Sequence, residues 1–412
     1  MRALREVLNI HVEEVDFLWT IRDAAVHAPQ YLLRDLSALD QRIEAHLDGL
    51  RIAGSEVWKV CKEASEWTEA GEIFGAAILS VESGDERRWA AILEAGTASI
   101  ERSRGLVSAL AWVDCGTAGE TIRRLLQVDN PRLRRVGVAA SAAHRLDPGD
   151  VLSELLLSQD HDLCARSLRA AGELGRTDLL SRIESRLAFE DGHVRFWAAW
   201  SATILGATSG APVLAEEALR SEVHAERAVD VAFRRLDPAL ARNLIDRLAG
   251  DPRKIRLAVK GAGASGDPVH IPWLVEMIRT PGISRIAGEA FSNITGIDLR
   301  SEGLAGPAPV GIEAGPTENP EEEEVAMDPD DSLPWPDFVA VASMWSRRRA
   351  EWAPGMRLLL GRPITREALW VALRDARQRQ RAAAALELAF LDPGKPLFEV
   401  RARGDRQRAM LC

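Results

Sequence analysis

Residues 129–159, DNPRLRRVGVAASAAHRLDPGDVLSELLLSQ, carry the pattern that decides the fold. An apolar-periodic segment begins at Pro131, a helix-start position that tolerates a missing N–H. The turn LDPGD follows, and VLSELLLSQ is a second amphipathic segment. Small residues in the first segment, such as Gly137 and Ala140, allow a neighbouring helix to approach closely. The stretch therefore predicts two short helices joined by a turn.

The same plan recurs with a period of about 30 residues. One short helix pair cannot hide its apolar stripe, whereas stacked copies bury it against their neighbours. Asp or Ser at the start of a copy suits an N-cap, whose side-chain oxygen accepts from free backbone N–H groups. We therefore predict an all-α fold, a right-handed α-solenoid of about eight short HEAT-like helix pairs over residues 69–300. Successive copies begin at Glu69, Ser99, Asp129, Asp160, Asp191, Ser221, Asp251 and Pro281.

Regions of different composition flank these repeats. Residues 1–68 carry longer amphipathic segments and are predicted to form an N-terminal helical cap. Residues 301–331 contain ten acids and no Lys or Arg, with several Pro and Gly, which predicts a disordered or loosely draped linker. Residues 332–412 contain 15 Lys and Arg against eight Asp and Glu, and are predicted to form a basic helical region. Within it, 379–397 echoes 134–152 as a degenerate repeat.

The amino-acid composition excludes several classes of protein. The 412 residues are 46% hydrophobic, which is ample for a buried core and excludes wholesale disorder. The four cysteines are scattered without a CxxC pair, so we expect neither a disulfide framework nor a zinc ribbon. The N-terminal MRALREVLNIHVEEVDFLW has acids where a signal peptide needs an apolar run, and no stretch approaches the ~18 apolar residues of a membrane span. We predict a cytoplasmic protein that does not bind membranes.

Second helices of such a stack usually line its concave face, so their exposed positions predict a binding surface. Aligned by repeat, these positions form two neighbouring columns, called here the acidic columns. Their six acids against three bases would repel a phosphate backbone, so we do not expect nucleic acid along this face. An acidic field favours a basic protein or peptide, although ordinary solvated helix charges explain the same pattern. The charged members, with Trp273 beside them as a candidate anchor, are Arg123, Arg124, Glu154, Glu184, Glu216, Glu217, Asp246, Arg247 and Glu276.

Arginine clusters mark the C-terminal region. They suit an RNA, an anionic membrane or an acidic partner. The acidic linker offers another interpretation, since its glutamates 321–324 and the aspartates at 328–331 can supply internal counter-charge that salt would weaken. The basic residues of the predicted tail helix are Arg374, Arg377, Arg379 and Arg381, with further groups at 347–349 and 401–408.

The sequence carries few marks of catalysis. None of the eight His precedes a Glu, the dipeptide with which di-iron hydroxylases of HEAT-like architecture hold iron. His161 and His193, about one repeat apart, are the nearest thing to a metal pair, and we expect solvated or capping roles for both. Phosphate-binding and nucleophile-elbow motifs are absent, so we predict a non-enzymatic protein without metal or cofactor. The alternative is a lyase-type enzyme with a deep apolar cleft and a perturbed carboxylate or cysteine, such as Cys164.

Five strings resemble hallmarks of one bacterial family: EAHLDGLRIAG (44–54), IAGEAFSNITGIDL (286–299), LPWPD (333–337), LLLGRPIT (358–365) and RQRQRAAAALELAFLDPGKPLFEVRARGDRQR (377–408). The family consists of HEAT-like repeat proteins of undetermined activity, often encoded near type VI secretion genes. The resemblance extends over the whole chain. It includes no catalytic motif, so it implies no active-site residue. It implies a helical-repeat scaffold or chaperone-like adaptor whose partner is a secretion component or effector.

Overall fold

A computed structural model describes residues 2–63, 69–309 and 328–412. Most of these residues are helical, and sheet among them is limited to two pairs of two-residue strands, so the predicted all-α class is confirmed. No helix in these ranges is long and apolar enough to cross a membrane. The helices are α1 (Arg2–Ala25), α2 (Leu33–Ala53), α3 (Val57–Glu63), α4 (Ala70–Ser83), α5 (Glu86–Gly96), α6 (Ile100–Trp112), α7 (Cys115–Gln127), α8 (Pro131–His144), α9 (Asp150–Leu155), α10 (His161–Glu173), α11 (Leu180–Glu184), α12 (Gly192–Ile204), α13 (Gly210–Arg220), α14 (Ala225–Ala232), α15 (Pro238–Ala249), α16 (Ile255–Ser265), α17 (Ile271–Met277), α18 (Pro281–Thr295), α19 (Phe338–Arg348), α20 (Arg366–Asp375), α21 (Gln378–Leu391) and α22 (Gly404–Leu411). The strands are β1 (Ala305–Gly306), β2 (Trp335–Pro336), β3 (Leu358–Leu359) and β4 (Arg362–Pro363).

The first helix of each repeat begins within four residues of its predicted start. At α6 and α10 the predicted capping residue accounts for the agreement, because capping is a local interaction. The Ser99 hydroxyl accepts from the backbone N–H of Arg102 at 3.1 Å, at the start of α6. The Asp160 carboxylate accepts from the N–H of Leu163 at 2.8 Å, at the start of α10.

The chain forms two compact units. Unit 1 comprises Met1–His27, Tyr31–Ser201 and Gly394–Cys412, and unit 2 comprises Ala28–Gln30 and Ala202–Pro393. These boundaries differ from the predicted ones, because one division falls inside α12 within the repeats and another inside the C-terminal region. The second difference arises because the last residues of the chain find their hydrogen-bond partners on helices of unit 1.

In unit 1, the first helices of successive repeats pack on one another. α4 packs on α6, α6 on α8 and α8 on α10, while α1 lies against α2 and α4. Small residues make these contacts close: a Cβ on Gly105 of α6 would lie 2.0 Å from the carbonyl oxygen of Ala70 on α4. The ring centroid of Phe74 lies 6.1 Å from that of Trp19 and 5.4 Å from that of Trp112. The core of this unit is thus built from helix pairs and an aromatic cluster.

In unit 2, α14 packs on α16 and α16 on α18, and the second helices α13, α15 and α17 lie beside them. The pair α20 and α21 also belongs to this unit. β1 pairs with β2 and β3 with β4, both antiparallel, with Ala305 opposite Pro336 and Leu358 opposite Pro363. Because β2 and β3 both lie against α18, this helix collects chain segments that are distant in sequence.

The predicted linker 301–331 packs against the rest of unit 2 at its described ends. Its first part contains β1, and its last part places the buried Asp330 3.1 Å from Nη1 of Arg379. The expectation of a disordered or loosely draped segment is wrong for these ends, because strand pairing and ion pairs hold them. Residues 310–327, with the four consecutive glutamates, lie outside the described residues.

Candidate functional site

The acidic columns keep exposed carboxylates in unit 1. Glu154 at α9 and Glu184 at α11 are both exposed. The bases of the same columns, Arg123 and Arg124, pair with neighbouring glutamates, and Arg124 Nη1 lies 2.6 Å from Glu86 Oε1. Glu154 makes no ion pair with the described residues, so this column position presents an uncompensated negative charge.

Four predicted column residues of unit 2 are exposed and one is buried. The prediction for Glu217 is wrong, because this residue is only 4% exposed. It follows the buried Leu214 by three positions on α13, so both lie on the core-facing side of the helix. The three-residue spacing from an apolar leucine is the sequence signal that could have placed Glu217 on the buried side of the helix. Trp273, the candidate anchor, is half-buried on α17. The exposed residues are Glu216, Asp246, Arg247 and Glu276.

The arginines of the predicted basic tail are largely engaged inside unit 2. Arg381 is fully buried, its Nε donates to the carbonyl of Leu373 at 2.6 Å, and burial lowers its pKa to about 10. Its prediction as a surface group is wrong, because α20 and α21 pack on each other and enclose it. Arg377 and Arg379 pair with acids of the same unit, and Arg374 remains exposed. These residues do not present the continuous basic stripe that a phosphate backbone needs.

The arginines near the C-terminus pair within unit 1. Arg401 Nη2 lies 3.2 Å from Asp23 Oδ1, and Arg403 Nη1 lies 2.8 Å from Glu44 Oε1. Arg406 donates to three carbonyl oxygens at the C-terminal end of α6. Within the described residues, acids of α1 and α2 supply the counter-charge of Arg401 and Arg403.

The histidines and the cysteine singled out above have structural contacts. His161 Nδ1 lies 3.0 Å from Asp191 Oδ2, and His193 packs edge-on against an indole ring. In the ranges that the structure describes, no three His, Cys, Asp or Glu side chains are grouped so as to hold a metal ion. Cys164 is buried, donates to the carbonyl of Leu156 at 3.1 Å, and has a pKa that burial raises to about 11. This placement disfavours the thiolate that a nucleophile requires.

A cavity of about 170 Å³ opens in unit 2 beside the C-terminal half of α18. Its walls come from α18 and the loop after it, the residues before β2, the turn between β3 and β4, and the start of α21. Four of the five strings quoted above, those that start at 286, 333, 358 and 377, meet here. Polar residues in its walls include Gln30, Glu289, Ser292, Asp298, Arg377 and Arg379.

Close backbone contacts hold the β3–β4 turn against the end of α18. The N–H of Leu360 donates to the carbonyl of Asn293 at 2.6 Å, and the N–H of Gly361 donates to that of Ile294 at 3.1 Å. Gly296, with φ 77°, ends the helix, and a Cβ there would lie 2.4 Å from the carbonyl oxygen of Leu360. Glycine is therefore required at 296 both for its backbone conformation and for this approach.

Glu289, a largely buried acid of the cavity wall, shares the guanidinium of Arg379 with Asp330, which lies outside the wall. Glu289 Oε2 lies 3.0 Å from Arg379 Nη1, and Asp330 Oδ1 lies 3.1 Å from the same nitrogen. Burial raises the pKa of Glu289, and the Arg379 guanidinium only partly opposes the rise. Hydrogen bonding by the backbone N–H of Ser301, followed by the charge of Arg377, lowers the pKa of Asp298. Glu289 can thus carry a proton more readily than an exposed glutamate, and sequence reasoning did not single it out.

No protein-family model, curated protein or solved structure matches the chain.

Proposed function

We propose that the protein is a non-enzymatic scaffold or adaptor that binds a basic protein partner through the exposed acids of its second helices. In this proposal the helix pairs continue as a right-handed HEAT-like α-solenoid in the cytoplasm, and the partner is a type VI secretion component or effector. Two observations support it: the resemblance of the five strings, and the packing of successive first helices within each unit, which stacked repeats require.

The main support for the proposal is that acidic residues of the columns are exposed and unpaired, whereas two of the column arginines are paired. Glu154 and Asp246 are exposed and make no ion pair with the described residues. The column bases Arg123 and Arg124 pair with glutamates, and Arg379 pairs internally as well. With a formal net charge of −10, the chain presents an acidic field that would steer a basic partner, more strongly at low salt.

Charge reversal at the columns tests this surface. The triple variant Glu154→Lys, Asp246→Lys and Glu276→Lys should lose a discrete partner that the tagged wild-type protein captures from its native host, as identified by mass spectrometry. All three side chains are exposed, so the variant is expected to fold. Glu217 is left intact, because a charge reversal at a buried position would destabilise α13.

A matched control carries the same change of charge outside the columns. The variant Glu13→Lys, Asp162→Lys and Glu367→Lys alters exposed acids on α1, α10 and α20. It should retain the partner. If both variants lose it equally, net charge and not the columns governs binding. If neither loses it, or the captured protein has no link to secretion, the corresponding part of the proposal is wrong.

One observation favours a lyase-type enzyme as a second candidate. Glu289 is a buried carboxyl with a raised pKa in the wall of a cavity, which is a typical setting for a general acid or base. We expect the wild-type protein, but not Glu289→Gln, to change the composition of a metabolite extract from its host, as followed by NMR. Identical extracts after incubation with either protein would rule this candidate out.

A further inference from the structure

The cavity of unit 2 has unused hydrogen-bond donors in its wall. Arg377 carries five N–H donors, yet its side chain makes one hydrogen bond within the described residues, from Nη1 to the carbonyl oxygen of Gln30 at 3.1 Å. Its ion pair with Asp298 is long, with 3.6 Å between Nη2 and Oδ2. The half-buried guanidinium therefore keeps donors for a ligand that offers two acceptor oxygens, as a carboxylate does.

An unpaired acceptor lies next to these donors. Gln30 lines the same cavity. Its Oε1 is shielded from solvent and accepts no hydrogen bond from the described residues. A buried acceptor without a partner costs free energy, which a donor on a ligand would recover. Because Arg377 already binds the Gln30 carbonyl, the unused donors and the unpaired acceptor belong to adjacent residues.

The volume of the cavity and the apolar residues in its walls limit which ligands can bind. An apolar cavity of about 150 Å³ holds benzene, so the roughly similar volume here suits a ligand of about that size. Ile297, Leu299 and Leu333 are buried and add apolar surface to the walls. The ligand therefore needs a short carbon skeleton as well as its polar groups.

We infer that this cavity binds a small carboxylic acid that also carries a hydrogen-bond donor, namely an α-amino or α-hydroxy acid. Its carboxylate binds Arg377 and its N–H or O–H group binds the side-chain amide of Gln30. The inference does not depend on the partner surface proposed above. The carboxyl end of a polypeptide offers the same chemistry, and the small volume favours the free acid.

Titration calorimetry and thermal shift on the full chain test the inference, with the common L-α-amino acids and L-lactate as probes. At least one of them should bind about tenfold more tightly than propionate, which lacks the donor, and L-alaninamide, which lacks the carboxylate. N-acetyl-L-alanine imitates a chain end and should bind more weakly than the free acid. Equal or tighter binding of this probe would identify a chain end as the source.

Variants assign the contacts. Arg377→Met and Gln30→Leu should each lower the affinity for the tightest-binding probe by about tenfold or more. Arg374 is an exposed arginine on α20, and Arg374→Met should leave this affinity unchanged. Ser292→Leu, which fills the cavity, should abolish binding while circular dichroism reports an intact fold. The inference is overturned if no probe binds at millimolar concentration, or if Arg377→Met and Gln30→Leu both retain wild-type affinity.

Discussion

Replacing Asp40 by alanine should detach the C-terminal segment, Gly394–Cys412, from the helices at the start of the chain. Asp40 on α2 is 5% exposed, and its Oδ1 accepts from Arg22 Nε at 2.8 Å. Its Oδ2 accepts from the backbone N–H of Gly404 at 2.7 Å, at the start of α22. Arg22 in turn donates to the carbonyls of Arg401 and Ala402. One buried carboxylate thus joins two helices to the end of the chain.

The structure sets the size of the effect. Each hydrogen bond to a charged group contributes about 1.5–3 kcal/mol, and Arg22 keeps its two carbonyl partners in the variant. We therefore expect Asp40→Ala to lower the free energy of unfolding by about 3 kcal/mol, at the lower end of what breaking a buried ion pair costs. For a unit of this size, that corresponds to a fall in Tm of roughly 6–12 °C.

Thermal unfolding followed by circular dichroism measures the loss, and limited trypsin digestion measures detachment. Trypsin should cleave the variant first after Arg401, Arg403 or Arg406, which pair or donate within the wild-type unit. Asp48→Ala is the matched control, because Asp48 lies on the same helix with a side chain that is 66% exposed. If both variants unfold at the same temperature and are digested alike, Asp40 does not hold the C-terminal segment.

Two further predictions concern unit 1. Burial, and then the charge of Glu72, raises the pKa of Asp16 from 3.8 to about 6, so its ionisation opposes folding and stability falls as the pH rises through this interval. In urea unfolding, Asp16→Asn should therefore raise the free energy of unfolding by about 1 kcal/mol at pH 8, after allowance for partial solvent exposure, and leave it unchanged at pH 3.5. The exposed Glu13→Gln is the control. An increase that does not depend on pH, or an equal increase in Glu13→Gln, would contradict this prediction. Gly175→Ala should lower Tm more than Gly149→Ala, since both glycines have positive φ but only a Cβ at 175 would meet the backbone of the C-terminal segment, at 2.7 Å. Equal shifts in Tm would show that the segment does not pack there.

Local patterns were sufficient to predict the helix pairs. The starts at Ser99 and Asp160 were predicted from residue type, and both side chains cap the helices that follow. Capping and apolar spacing involve residues within about four positions of each other, so the neighbouring sequence contains the information needed.

Which face a residue occupies was harder to predict. Glu217 was aligned with exposed column members, but it follows the buried Leu214 on the packed side of α13. The repeat alignment gives equivalent positions along the chain, whereas burial depends on how each helix is rotated against its neighbours. Arg381 was misplaced for the same reason.

The cavity was not predicted at all. Gln30 is separated from Arg377 by most of the chain, and neither lies in a motif that indicates a ligand. Glu289 lies on α18, and its pKa is raised by burial in the folded unit and then by the nearby charge of Asp330, which is 41 positions away in the sequence. The strings that resemble a family do contain most of the wall, which is the one sequence signal that pointed to this region.

By itself, the sequence determined the helical class, the 30-residue spacing and the positions at which first helices begin, because each rests on hydrogen bonds and side-chain contacts between near neighbours. Tertiary structure decided the division into two units, the return of the C-terminal segment to α1 and α2, and the partners of the arginines. Those outcomes depend on which charged groups are removed from water together. Many of the residues that pair in this way are hundreds of positions apart in the sequence, so a local sequence pattern cannot predict which of them will pair.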